Sequence, residues 1–276
     1  MKQIGIIINP NKEGAVTLLG ELKEWLSKRG CSVKDNEASS IDEIVVDAEL
    51  IICLGGDGTL LNLTHYIKQK SIPILGVNLG TLGFITEVKK EELFDELQGV
   101  FSNDYVIEER IMLSCNVRNE KNNESRRFQA FNDIVINREG LTRYLSVDLK
   151  VGKETITRYS GDGVIIATPT GSTAYSLSAG GPIVHPSLKS LIITAICPHV
   201  SSLRPMVVPG SEKIVAKIIC HSPGEAALLV ADGQNSLQIG ENHVVEVTQS
   251  DLLIQLIKSS KRSYFQTLQE KFKIPH

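Results

Sequence analysis

The sequence predicts an α/β domain built on a parallel sheet, followed by a β-rich domain of antiparallel strands. Three observations carry this reading. Short apolar runs alternate with amphipathic stretches from Ile4 to Leu97, the rhythm changes at Ile111 to short β-rich runs between turn signals, and Tyr264 to Phe272 returns to a helical pattern. Strands alternating with helices imply a parallel sheet covered on both faces, whereas closely spaced strands between turns imply antiparallel pairing.

The elements follow in order. Ile4 to Asn9 reads as a buried strand. Gly14 to Arg29 reads as an amphipathic helix, with Val16, Leu19, Leu22, Trp25 and Leu26 on one stripe and Gly30 as its stop signal. Cys31 to Lys34 is a candidate second strand, and Asp42 to Glu49 is ambiguous. Leu50 to Leu54 is a strand, Thr59 to Lys70 a helix, Ile74 to Asn78 a strand and Lys89 to Leu97 a helix. Asp104 to Arg110 carries four charges and reads as a crossing segment. The β-rich runs are Leu113 to Val117, Arg127 to Asn137, Leu145 to Val151, Val164 to Ala167, Ile192 to Ile196, Lys213 to Ile219, Ala227 to Val230 and His243 to Val247. Turn signals such as Asn122-Asn123, Gly152-Lys153, Pro209-Gly210 and Asp232-Gly233 separate them. The closing helix has either domain as its partner.

At 276 residues, 42% hydrophobic and 22% charged, the chain holds one large or two ordinary domains. A formal net charge of −3 without a dense Lys/Arg run argues against nucleic acid as a partner. The five cysteines, Cys31, Cys53, Cys115, Cys197 and Cys220, are scattered and form no Cys-x-x-Cys pair, so reduced core thiols are expected rather than zinc or disulfides. The apolar run Ile4 to Ile8 stops at Asn9-Pro10, too short for a signal core or a membrane span. The expectation is a cytoplasmic protein without a membrane partner.

The most informative stretch is Leu50-Ile51-Ile52-Cys53-Leu54-Gly55-Gly56-Asp57-Gly58-Thr59. Strand, glycine turn and helix start present backbone N–H groups to an anion. Glycines let the backbone approach a phosphate closely or take positive φ. The stretch is not a P-loop, because no Gly-Lys-Ser/Thr ending follows. Asp57 is the single carboxylate among the glycines, and a carboxylate in a phosphate cradle is repulsive unless it binds a cation or accepts a proton. An ordinary turn is the alternative. Ligands of parallel sheets sit beyond the carboxyl ends of the strands, where Asp57 lies and where Asn78 leads into Leu79-Gly80-Thr81-Leu82-Gly83-Phe84.

Three polar clusters mark the second domain. In Phe131-Asn132-Asp133, an amide and a carboxylate lead into a strand, either as an ordinary loop entry or as a pair that grips a ribose diol. Ser160-Gly161-Asp162-Gly163 and then Thr168-Pro169-Thr170-Gly171-Ser172-Thr173-Ala174-Tyr175-Ser176 pack many small hydroxyl donors and one aromatic around an apolar strand, a plain Ser/Thr-rich turn being the alternative. Cys197-Pro198-His199-Val200-Ser201-Ser202-Leu203-Arg204-Pro205 reads as a fixed loop in which His199 and Arg204 have structural roles.

Gly55-Gly56-Asp57-Gly58-Thr59, Asn132-Asp133, the run from Thr168 to Tyr175 and Asp232-Gly233 occur in the order seen in NAD kinases, and the chain resembles that family over nearly its whole length. The glycine-rich motif alone also resembles lipid kinases of the diacylglycerol type and phosphofructokinases; the Thr-Pro-Thr-Gly-Ser-Thr-Ala-Tyr run is far more specific. The resemblance implies a Rossmann-like α/β nucleotide-binding domain (residues 1–108 with about 252–276) and a β-sandwich-like NAD-binding domain (109–251), the last helix packing back on the first. It implies transfer of a phosphoryl group from ATP, or another donor, to the 2′-hydroxyl of the adenosine ribose of NAD, with Mg²⁺ or another divalent cation, by a homodimer or homotetramer.

Carried over by position, Asp57 is the catalytic carboxylate and general base, with Gly58 beside it. Asn132 and Asp133 hold the ribose, Asp162 meets the nicotinamide side, and Thr173, Ala174, Tyr175, Ser176, Leu177 and Ser178 line the dinucleotide site. Phe84 borders the adenine pocket, and Arg143, Ser160, Thr170 and Gln234 are further ligand positions. No fixed ligand set for the metal is expected beyond a place near Asp57. The chain departs from many members at Asn62 and Ser160, where they carry a basic residue, and at Asp133, where they carry Glu. A lipid kinase needs an apolar slot or a basic membrane-facing surface, and a nucleotide sensor needs no carboxylate in the glycine turn.

Overall fold

The computed structural model describes residues 2–68, 72–139, 144–200, 202–219 and 226–273. The chain divides into two compact units, Met1–Arg110 with Leu252–His276, and Ile111–Asp251.

The first unit opens with β1 (Gln3–Ile8), α1 (Ala15–Ser27), β2 (Ser32–Asp35), α2 (Ile41–Asp47), β3 (Leu50–Gly55), α3 (Asp57–Thr64), β4 (Pro73–Asn78) and β5 (Val88–Lys89). A 3₁₀ turn at Lys90–Glu92 leads into α4 (Leu93–Phe101), and the chain leaves through β6 (Ile107–Asn119). Strands β2, β1, β3 and β4 pair side by side, all parallel. Every residue of β3 is buried, the continuous apolar run expected of a central parallel strand. Leu18, Leu19, Leu22 and Leu26 place one face of α1 against this sheet. Trp25 borders the same core, with its ring 5.9 Å from Phe94, 5.4 Å from Phe101 and 3.5 Å from the Arg29 guanidinium. The ambiguous segment is the helix α2, opened by a capping box between Ser40 and Glu43. The helix expected over Thr59–Lys70 begins earlier, at Asp57, and ends at Thr64.

The second unit continues with β7 (Ser125–Ala130), β8 (Asp133–Arg138), β9 (Leu145–Val151), β10 (Glu154–Gly161) and β11 (Gly163–Ala167). A 3₁₀ turn (Gly171–Thr173) and the single-turn helix α5 (Tyr175–Ser178) follow, then β12 (Ser190–Ile196), β13 (Met206–Pro209), β14 (Ile214–Ile219), β15 (Ala227–Ala231), β16 (Asn235–Ile239) and β17 (His243–Ile257). One antiparallel sheet has the order β13-β12-β11-β8-β15-β16. In the other, β10, β9, β14 and the first half of β17 pair antiparallel. The Tyr159 hydroxyl of β10 donates to the Gly163 carbonyl of β11 at 2.8 Å and ties the two sheets together. The run expected over Arg127–Asn137 is two strands, broken at Phe131 and Asn132 because their N–H groups turn to the Asp232 carboxylate.

The end of β17 returns to the first unit, where Gln255 and Leu256 pair parallel with β4. The last helix, α6 (Tyr264–Phe272), carries a capping box between Ser263 and Gln266. Arg262 anchors it by a two-bonded fork to Glu92 (2.9 and 2.6 Å), and Glu96 accepts from Ser259 and Ser260. Cys31, Cys53, Cys115 and Cys197 are free thiols; Cys220 lies outside the described residues. Among the described residues, no helix is long and apolar enough to cross a membrane.

Candidate active site

Each unit holds a cavity lined in part by residues that the sequence singled out. The first, about 370 Å³, is lined by Asn9, Lys12, Gly56, Asp57, Gly58, Thr59, Asn78, Thr81, Gly83 and Lys271. The glycine turn builds it by close approach rather than by positive φ, since none of Gly55, Gly56 and Gly58 is left-handed. A Cβ at Gly55 would collide with Thr59, whose hydroxyl accepts from the Gly56 N–H at 3.4 Å. Asp57 and Gly58 are the first residues of α3, so their N–H groups have no intrahelical acceptor.

The repulsion expected at Asp57 has a third resolution besides a metal or a proton. Four donors from the loop after β4 aim at its carboxylate. Oδ2 accepts from the Phe84 N–H at 2.8 Å, and Oδ1 from the Ile85 N–H at 3.3 Å, the Thr86 N–H at 3.0 Å and the Thr86 hydroxyl at 2.7 Å. A Cβ at Gly83 would overlap the carboxylate, so only glycine lets this loop close over Asp57. Lys12 and Lys271 bring positive charge, and neither is in an ion pair among the described residues. The Lys271 ammonium lies 5.7 Å from the Phe84 ring centroid, and that ring packs 5.7 Å from Phe272.

The second cavity, about 340 Å³, is lined by Asn132, Asp133, Val135, Asn137, Ala174, Tyr175, Val230, Asp232 and Gly233. Asp232 sits at φ 51°, in the left-handed region that Asp tolerates better than most residues. Its carboxylate gathers the loop before β8: Oδ2 accepts from Phe131 N–H at 2.7 Å, and Oδ1 from Asn132 and Asp133 N–H at 2.7 and 3.0 Å. Asp133 is only 5% exposed, and its carboxyl makes no hydrogen bond among the described residues. Burial, and then the Asp232 charge, raise its pKa to about 7. A buried carboxyl without a partner facing a cavity is poised for a ligand's hydroxyl groups.

The other positions have varied surroundings. Tyr175 is 43% exposed at the cavity mouth, and Asp162 pairs with Arg138 at 2.9 Å. The Ser176 hydroxyl is buried against Thr194, the Ser160 hydroxyl meets Ser146, and Thr170 accepts from the Thr173 hydroxyl through its carbonyl. Leu177 and Ser178 belong to α5, and the Gln234 N–H closes the turn before β16 onto Ala231. Arg143 lies outside the described residues. His199 donates its N–H to Ser160 and packs its ring on Tyr144, and Arg204 donates to the Leu203 carbonyl. Sequence reasoning missed the roles of Thr86, Asp232, Lys12 and Lys271. Asp232 had a signal in the Asp-Gly turn.

A model of the ATP-NAD kinase N-terminal domain matches residues 32–105, and one of the ATP-NAD kinase C-terminal domain matches residues 131–259. The NAD kinase of Geobacter sp. (strain M21) is 38% identical over 287 residues, covering 99% of both chains. The chain belongs to the NAD kinase family. The family's relative from Solibacter usitatus is 38% identical over 99% of this chain and 98% of its own. Yeast NADH kinase complexed with NADH superposes with a TM-score of 0.90 at 27% identity, covering 99% of this chain and 88% of that one. The NAD kinase from Archaeoglobus fulgidus in complex with ATP superposes with a TM-score of 0.81 at 26% identity, covering 99% of this chain and all of the other. As an NAD kinase, this chain is a phosphotransferase that converts NAD to NADP.

Proposed function

We propose that Asp57 accepts the proton of the adenosine ribose 2′-hydroxyl as this enzyme phosphorylates NAD from ATP. The 2′-oxygen forms a bond to the γ-phosphorus, the bond from that phosphorus to the β–γ bridging oxygen breaks, ADP leaves and the hydroxyl proton passes to Asp57. The observation that carries the reading is a lone carboxylate in a cavity lined by two lysines and the glycine turn. Rate comes mainly from positioning and charge stabilisation, with general-base help contributing about 10²–10⁴-fold. Asn132 and Asp133 hold the ribose diol, supported by the buried and unpartnered Asp133 carboxyl. Tyr175 packs on a ring of the dinucleotide.

A divalent cation fits this chain only as one carried by the nucleotide. Among the described residues no three His, Cys, Asp or Glu side chains cluster, and Asp57 Oδ1 already accepts three hydrogen bonds. Bound to the donor's phosphates near Asp57, Mg²⁺ would neutralise charge as phosphoryl transfer proceeds. The reading extends to a cytoplasmic homodimer or homotetramer, supported by the family resemblance and the free thiols, and light scattering reads its subunit count.

The test is to incubate the purified protein with ATP, Mg²⁺ and NAD and to assay NADP with an NADP-specific dehydrogenase, with parallel arms for NADH and polyphosphate. Asp57→Asn is expected to lose about 10²–10⁴-fold in turnover while keeping most of the NAD affinity. Near-normal turnover of that variant removes Asp57 from the mechanism.

A further inference from the structure

We propose that Thr86 and Asn78 are positioning residues that fix the Asp57 carboxylate and reserve Oδ2 as its proton-accepting atom. This inference deepens, and rests on, the reading of Asp57 as the proton acceptor.

Asn78 ends β4, and its Oδ1 accepts from the Gly80 N–H at 2.8 Å. A backbone N–H only donates, so this bond fixes which way the amide is turned. Asn78 Nδ2 therefore faces Thr86 Oγ1, 2.8 Å away. An amide nitrogen also only donates, so Thr86 Oγ1 is the acceptor of that bond. The Thr86 hydroxyl hydrogen then points to Asp57 Oδ1, at 2.7 Å. Thr86 is fully buried and Asn78 is 6% exposed, so the bond between their side chains is shielded from bulk water.

The consequence falls on the two carboxylate oxygens. Oδ1 faces three donors and no acceptor, so a proton placed there would displace the relay. Oδ2 faces only the Phe84 N–H and keeps lone-pair capacity. When the ribose hydroxyl gives up its proton, Oδ2 receives it. Thr86 touches no reacting atom; it acts through Asp57.

Steady-state kinetics and a double-mutant cycle test this. Thr86→Val keeps the side-chain shape and removes the hydroxyl. It is expected to lower kcat roughly 10- to 100-fold, with KM for NAD and ATP held within about twofold. Thr86→Ser restores the hydroxyl and is expected to restore most of kcat. Thr86→Ala replaces Thr86→Val if the latter does not fold, as judged by thermal unfolding. In an Asp57→Asn background, Thr86→Val is expected to change the residual turnover little, because its effect passes through the carboxylate. A Thr86→Val enzyme with normal kcat, or one whose loss is undiminished in the Asp57→Asn background, overturns the relay while the proton-acceptor reading stands. An Asp57→Asn enzyme with normal turnover overturns both.

Discussion

The Asp232 carboxylate binds the backbone N–H of Asp133 at 3.0 Å while its charge opposes ionisation of the Asp133 carboxyl. One acid builds the loop, and the other is left buried and costly to ionise.

Asp133 should therefore trade stability for binding. Its pKa is raised to about 7 from 3.8, so between these values the folded state holds a proton that the unfolded chain has lost. Stability falls as pH rises through that window and the penalty is complete above about 7. Asp133→Asn is expected to stabilise the ligand-free protein at pH 8 by on the order of 2–4 kcal/mol, and by little at pH 4. Denaturant melts at the two pH values check this.

Affinity should move in the opposite sense. An ionised carboxylate is the better acceptor for two ribose hydroxyls, so NAD binding to the unmodified protein should tighten as pH rises from 6 to 8. Asp133→Ala should abolish the trend and weaken NAD binding roughly 10- to 100-fold by calorimetry. A flat affinity profile in the parent protein removes Asp133 from the ribose grip.

Asp232→Ala strands three buried or half-buried N–H donors, those of Phe131, Asn132 and Asp133. The expected cost is about 2–5 kcal/mol, read by urea unfolding followed through probes in the second unit. Asp232→Asn keeps the left-handed backbone acceptable and should lose less.

Gly83→Ala places a methyl group onto the Asp57 carboxylate and close to the Thr86 hydroxyl. Overpacking of this kind costs about 1–3 kcal/mol. Turnover should fall more than stability does if the displaced carboxylate is the proton acceptor proposed above. Paired thermal melts and NADP assays separate the two effects.

Lys12→Ala and Lys271→Ala remove the lysines that line the first cavity. Each should raise KM for ATP roughly tenfold and leave NAD affinity unchanged. Equal losses for both substrates would mean that these cations serve the fold rather than the donor phosphates.

Much of this was legible in the sequence because it is local. The buried run of β3, the glycine turn and the switch to closely spaced strands depend on neighbours along the chain. The box Ser40-Ile41-Asp42-Glu43 was also local, and it identifies α2 where apolar periodicity alone leaves that segment ambiguous. The partners of the two carboxylates were not legible. Asp57 meets Phe84 and Thr86, and Asp232 meets Phe131, across chain separations that no spacing rule spans. Strands β10, β13 and β16 escaped for a different reason: β10 and β16 are rich in polar residues, and β13 is a short apolar run ending in proline at the edge of its sheet, too brief to show a period.

The chain has one tryptophan, and Trp25 is held within the first unit between Phe94, Phe101 and the Arg29 guanidinium. Its emission is thus a private reporter of that unit. Melting followed by indole fluorescence and melting followed by far-ultraviolet circular dichroism will coincide if the two units unfold together, and will part if the β-rich unit opens alone.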